Sequence, residues 1–103
     1  MQDYAQAVAF FRLAAAQGLD AAQFQLGYMY YHGRGVTQDY AEALRLYQLS
    51  AAQGHPWALF VIARCHEYGR GVRKNKAAAI RWYRRAQAAG HPHAAPNLQR
   101  LRA

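Results

Sequence analysis

The chain is short of nearly everything that covalent chemistry needs. Cys65 is the only cysteine in 103 residues, which excludes an internal disulfide and any cysteine-rich zinc site. Ser50 is the only serine, and the five acidic residues, Asp3, Asp20, Asp39, Glu42 and Glu67, are scattered. No nucleophile–base pair and no phosphate loop follows from such a set, so no catalytic residue is expected. His32, His55, His66, His91 and His93 have no acid at ligand spacing, and His91 and His93 would point apart on a helix. No metal and no cofactor is expected from them. No apolar run reaches membrane-spanning length, and no charged segment leads into an apolar one at the N-terminus. Neither a transmembrane helix nor a signal peptide is therefore expected, and the compartment, cytoplasmic or periplasmic, stays open.

What is present is apolar and basic. Hydrophobic residues make up 53% of the chain, which argues against disorder and allows one modest core. The net charge of +8 is lopsided: residues 1–51 carry −1 and residues 52–103 carry +9. Such a half attracts polyanions, acidic proteins or anionic lipid through its long-range field.

The stretch 26–43 organises the rest. Gly33, Gly35 and Val36 return as Gly69, Gly71 and Val72, 36 residues on. Tyr40, Ala41 and Ala43 look back to Tyr4, Ala5 and Ala7, and forward to Lys76, Ala77 and Ala79. Gly18, Gly54 and Gly90 stand at the same interval, as do Phe11, Tyr47 and Tyr83, and Leu26, Ile62 and Leu98. Helical spacing of apolar residues predicts helices over 1–18, 21–31, 37–54, 56–68 and 75–89. Glycine stops and Asp20, Thr37 or Asp39 as starts bound them. Pro56 suits a first helical position. Gly90-His91-Pro92 opens a sixth helix, which Pro96 should kink, or restart near itself, to run to about Leu101. Gapless self-similarity of this kind is the signature of a helical solenoid.

The unit from Asp20 to His55 closely resembles the Sel1-like repeat, a relative of the tetratricopeptide repeat. Ala22, Leu26, Gly27, Tyr30, Gly33, Gly35, Val36, Asp39, Tyr40, Ala43, Tyr47, Ala51, Ala52 and Gly54 carry the likeness. Ala63 and Lys76 depart from it in the next unit. The resemblance implies an all-α fold, a right-handed α–α superhelix of five to six helices in antiparallel pairs. It would form a single domain over 1–103, with units at 1–19 (partial), 20–55, 56–91 and 92–103 (partial). It implies a non-catalytic adaptor, bacterial in its known roles, that binds proteins rather than a small-molecule substrate. Some secreted members pin each pair with a disulfide, which one cysteine cannot provide.

In solenoids so related the first helix of each pair lines a concave groove. The positions one step round from the core stripe are Ala21, Gln25, Tyr28 and His32, then Trp57, Val61, Arg64 and Tyr68, then His93, Asn97 and Arg100. Rings, amides and guanidinium groups together suit a peptide or a protein surface, acidic ones included. The alternative is that Tyr28 and Trp57 only pack between helices. A second candidate is the basic strip Arg73, Lys74, Lys76, Arg81, Arg84 and Arg85, read either as a solvated outer face or as an electrostatic site for nucleic acid or anionic membrane. No recognition-helix signature supports DNA reading. A third expectation is self-association through the first helix, where Tyr4, Val8 and Phe11 lack a preceding helix to pack on and Ala9, Phe10 and Phe11 offer no polar outer face.

Overall fold

A computed structural model describes residues 3–103. Six helices follow one another: α1 (Tyr4–Ala16), α2 (Asp20–His32), α3 (Tyr40–Ala51), α4 (Pro56–Tyr68), α5 (Lys76–Ala88) and α6 (Ala94–Arg102). Each packs on its neighbours in sequence, α2 on α3 and α4 on α5 most closely. The stack is elongated, 43 × 24 × 23 Å, as expected when each unit is buried only by adjacent units. The solenoid read from the 36-residue period is the fold found.

The period works through the helix ends. Asp3, Asp39 and Asn75 stand at the same place in successive units. Each accepts a hydrogen bond from the backbone N–H three residues on, at Gln6, Glu42 and Ala78, so each caps its helix. Asp39 and Asn75 also donate their own N–H to the carbonyls of Tyr30 and His66, at 2.9 and 2.8 Å. One residue thus starts a helix and ties it to the end of the helix before. Gly33 and Gly69 close α2 and α4 in the left-handed conformation, φ 68° and 72°. The N–H of the next residue, Arg34 or Arg70, reaches back five residues to Met29 or Cys65, a Schellman-type stop.

Two expectations about starts need correction. Asp20 does not cap α2; it is the first helical residue, and Leu19 stands at the cap with no side-chain hydrogen bond. The Asp20 carboxylate sits in the first turn, where it still favours the positive helix end. Pro92 does not open α6 as Pro56 opens α4; of the two outcomes expected at Pro96, a kink or a restart near itself, the restart is found. The ring of Pro96 would clash with the carbonyl of residue 92 in a continuous helix, so α6 begins at Ala94 instead. Pro96 then falls in the first turn, where its missing N–H costs nothing, and no kink is needed. Pro96→Ala should shift the melting temperature little, within about 0.5 kcal/mol of stability; a large loss would mean that the proline ring stabilises the first turn of α6 rather than merely being tolerated there.

The core runs along the stack. Tyr47 and Tyr83 are fully buried in their shared slot, with Ile62, Leu98, Ala79 and Ala86 around them. Leu26, Met29, Val8 and Leu46 form a second cluster toward α1. Gly27 lies against the Tyr47 ring; a Cβ there would approach it to 3.0 Å. Ser50 is buried, and its hydroxyl donates to the Asp20 carbonyl at 2.8 Å, tying α3 to the start of α2.

Candidate functional site

The first helices of the units, α2, α4 and α6, share one face, and the side chains expected there come together. Between α2 and α4 lies a cavity of about 310 Å³ walled by Tyr28, His32, Trp57, Val61 and Arg64. Toward the helix N-termini it meets a second hollow, of about 540 Å³, bordered by Ala21, Gln25 and Trp57. Between α4 and α6 a third, of about 480 Å³, is bordered by Arg64, Tyr68, His93, Asn97 and Arg100. Trp57 touches all three and is 48% exposed. Tyr28 is half-buried and Tyr68 exposed. These rings are walls of an open depression as well as packing between helices.

Five residues lining the α2–α4 cavity lie outside the sequence expectation for the groove. Phe24, Tyr31 and Phe60 form the floor with Tyr47, and Arg70 reaches in from the Gly-Arg-Gly turn after α4. Arg70 donates to the Tyr31 hydroxyl and lies over the rings of Tyr31 and Tyr68, 5.7 and 5.5 Å from their centroids. Arg34, its counterpart one unit earlier, donates to the Tyr28 hydroxyl at 3.3 Å and lies 5.4 Å from that ring's centroid. The repeated Gly-Arg-Gly was the available signal. Its arginine is carried by the turn to the C-terminal end of the face.

Arg100 is not free. Its guanidinium donates to both oxygens of Glu67, at 2.5 and 3.0 Å, and Glu67 also accepts from the Tyr83 hydroxyl at 2.7 Å. Burial pushes the Glu67 carboxyl up, but the hydrogen bonds from Arg100 and Tyr83 outweigh it and hold the group below its ordinary range. His32 is lowered by partial burial and then by the positive charges of Arg34 and Arg70, so this end of the face is electropositive.

The basic strip does not join the groove. Arg73, Lys74, Lys76, Arg81, Arg84 and Arg85 are all exposed, on α5 or the loop before it, and border none of these hollows. Arg85 covers the Trp82 ring at 4.4 Å. Among the described residues the two ion pairs are Arg45–Glu42 and Arg100–Glu67, so the strip's charges stay solvated. Cys65 is buried, and desolvation pushes its thiol up to about 11, which leaves it protonated and unreactive at neutral pH. No group of three metal-ligating side chains occurs among the described residues. No described helix is long and apolar enough to cross a membrane.

The family model of the Sel1 repeat matches three times, at residues 1–19, 20–55 and 58–91. Among solved structures, a Sel1 repeat protein from Oxalobacter formigenes is similar at 33% identity and a TM-score of 0.89, over 95% of this chain and 40% of that one. A second, c5321, a protective antigen of uropathogenic Escherichia coli strains, is similar at 38% identity and a TM-score of 0.91, over 93% of this chain and 21% of that one. The cysteine-rich protein B of Helicobacter pylori shares the fold at 21% identity and a TM-score of 0.83, over 88% of this chain and 68% of that one. Among curated proteins none matches closely enough to count as a relative.

Proposed function

This chain belongs to the Sel1 repeat family, whose members generally serve as non-catalytic scaffolds for protein–protein interaction, and from that premise we propose that it holds a peptide or protein surface in the groove formed by α2, α4 and α6. The observation that carries the reading is the run of three hollows joined by Trp57, with aromatic walls left open to solvent. Exposed rings beside guanidinium groups are the composition of interface hot spots. The chain spans 40% and 21% of the Oxalobacter formigenes and Escherichia coli chains described above, so the groove is proposed as one part of a longer interaction surface. We prefer it to electrostatic capture of nucleic acid or membrane by the C-terminal half, because the α5 cations enclose no hollow.

The test is to capture partners on the immobilised chain and measure them again on variants. Tyr28→Ala and Arg64→Ala should each weaken a captured partner about tenfold while leaving the helical circular dichroism intact. Undiminished binding to both would sink the groove, and so would unfolding of both.

A second surface has its own observation. Phe10 is 66% exposed, whereas Leu46 in the same slot of α3 is 3% exposed. Leu13 is 70% exposed beside it. We propose that this face of α1 packs on a helix of the α2 type, from a second copy or from neighbouring repeats. Phe10→Glu with Leu13→Glu should abolish any concentration-dependent association in sedimentation velocity and leave the melting temperature unchanged. A strictly monomeric unmodified chain at high concentration would count against the second copy.

A further inference from the structure

The groove is polarised in charge along its helices. Arg64 on α4 and Arg70 just after it line the α2–α4 cavity, and Arg34 follows the end of α2 beside Tyr28, while no charged residue lines the N-terminal hollow at Ala21, Gln25, His55 and Trp57, with Asp20 one residue before Ala21. No acidic residue lines any of the three hollows. Glu67, the acid of α4, is buried and consumed by Tyr83 and Arg100. Arg34, Arg64 and Arg70 have no carboxylate partner among the described residues.

What these three cations touch is aromatic. Arg64 lies 5.9 Å from the Tyr68 ring centroid, and Arg34 and Arg70 lie over Tyr28 and Tyr31. Arg34 and Arg70 are each held by one N–H donated to a tyrosine hydroxyl and keep the rest of their five donors for a ligand. That arrangement is suited to bidentate capture of a carboxylate, with part of the ordering cost already met. Beside the cations, the cavity floor of Phe24, Phe60 and Val61 is apolar and suits one bulky side chain.

Resting on the groove reading above, we infer that the occupant is an acidic peptide segment, extended along α2 and α4. It lays a bulky apolar side chain in the α2–α4 cavity and its carboxylates on Arg34, Arg64 and Arg70. A 13-residue helix is about 20 Å long, which an extended strand covers with about six residues.

Random heptapeptides displayed against the intact chain at low salt test this, with affinities of the recovered peptides read by fluorescence anisotropy. The expected peptides carry Asp or Glu to one side of a large apolar residue. Their affinity should fall about tenfold on Arg64→Glu, an exposed position, and recover when the peptide acid is changed to Lys. Neutral or basic peptides that lose affinity on Tyr28→Ala but ignore Arg64→Glu would overturn the acidic occupant and leave the groove reading standing. Peptides indifferent to both Tyr28→Ala and Trp57→Ala, or no recovered peptide, would overturn the groove reading with it. Displacement of a bound peptide by an equal concentration of a seven-nucleotide oligothymidylate would overturn the inference in favour of nucleic acid.

Discussion

Replacing Gly71 by alanine should cost about 3–5 kcal/mol, enough to leave the chain barely folded. Two effects add. The residue sits at φ 79°, which an L side chain adopts only with strain. A Cβ there would also stand 2.6 Å from the Tyr40 carbonyl oxygen and 2.9 Å from its carbon. Those are backbone atoms at the start of α3, so no rotamer change can make room. Either α3 or the turn must move, and with it the spacing of the units. Gly35 repeats the relation with the Tyr4 carbonyl oxygen, again at 2.6 Å. Gly54 supplies the control: its φ is 82°, but nothing lies within 4 Å of its Cβ position. Gly54→Ala should therefore show the conformational penalty alone, about 1–2 kcal/mol. Urea unfolding of the two variants isolates the close approach as their difference. Equal midpoints would mean that the turn does not set the stacking interval.

The periodic features were legible because each is local. A cap, a glycine stop and an inner stripe are written within one helix, and Asp39, Gly33 and Tyr47 stand where their spacing put them. The misreadings arose where two elements compete for one residue. Asp20 looked like a cap because it stands just past the Gly18 stop, yet the chain enters α2 one residue earlier, with Leu19 at the cap. Arg100 looked free because the pattern of α6 says nothing of what α4 presents to it. The groove walls followed from helical spacing, but its floor did not. Phe24 and Phe60 belong to the packing stripe of their own helices, and only the separation of α2 from α4 opens them to a cavity. Arg70 escaped for the same reason, since a turn residue has no helical face to assign.

Glu67 is where the next large effect should appear. It is the one acid of the basic half, and it joins three helices: its own α4, α5 through Tyr83 and α6 through Arg100. Tyr83 is fully buried, so Glu67→Ala strands a phenol hydroxyl without an acceptor, at about 1–3 kcal/mol. The Arg100 side chain is half exposed and returns to water, so the lost ion pair adds little. Glu67→Gln keeps an acceptor for Tyr83 and should lose less. The pH dependence separates charge from packing. Because the folded carboxyl lies below its ordinary value of 4.5, its contribution is complete above that value and is lost as the pH falls through the lower folded one. Glu42, lowered chiefly by its hydrogen bond from Arg45, acts in the same direction. The unmodified chain should therefore weaken as the pH drops from about 5 toward 3, and Glu67→Gln should show a shallower decline. Melting temperatures across that range decide the matter: parallel curves would show that the buried carboxylate carries no charge-dependent stability, and the three-helix clamp would then be packing alone.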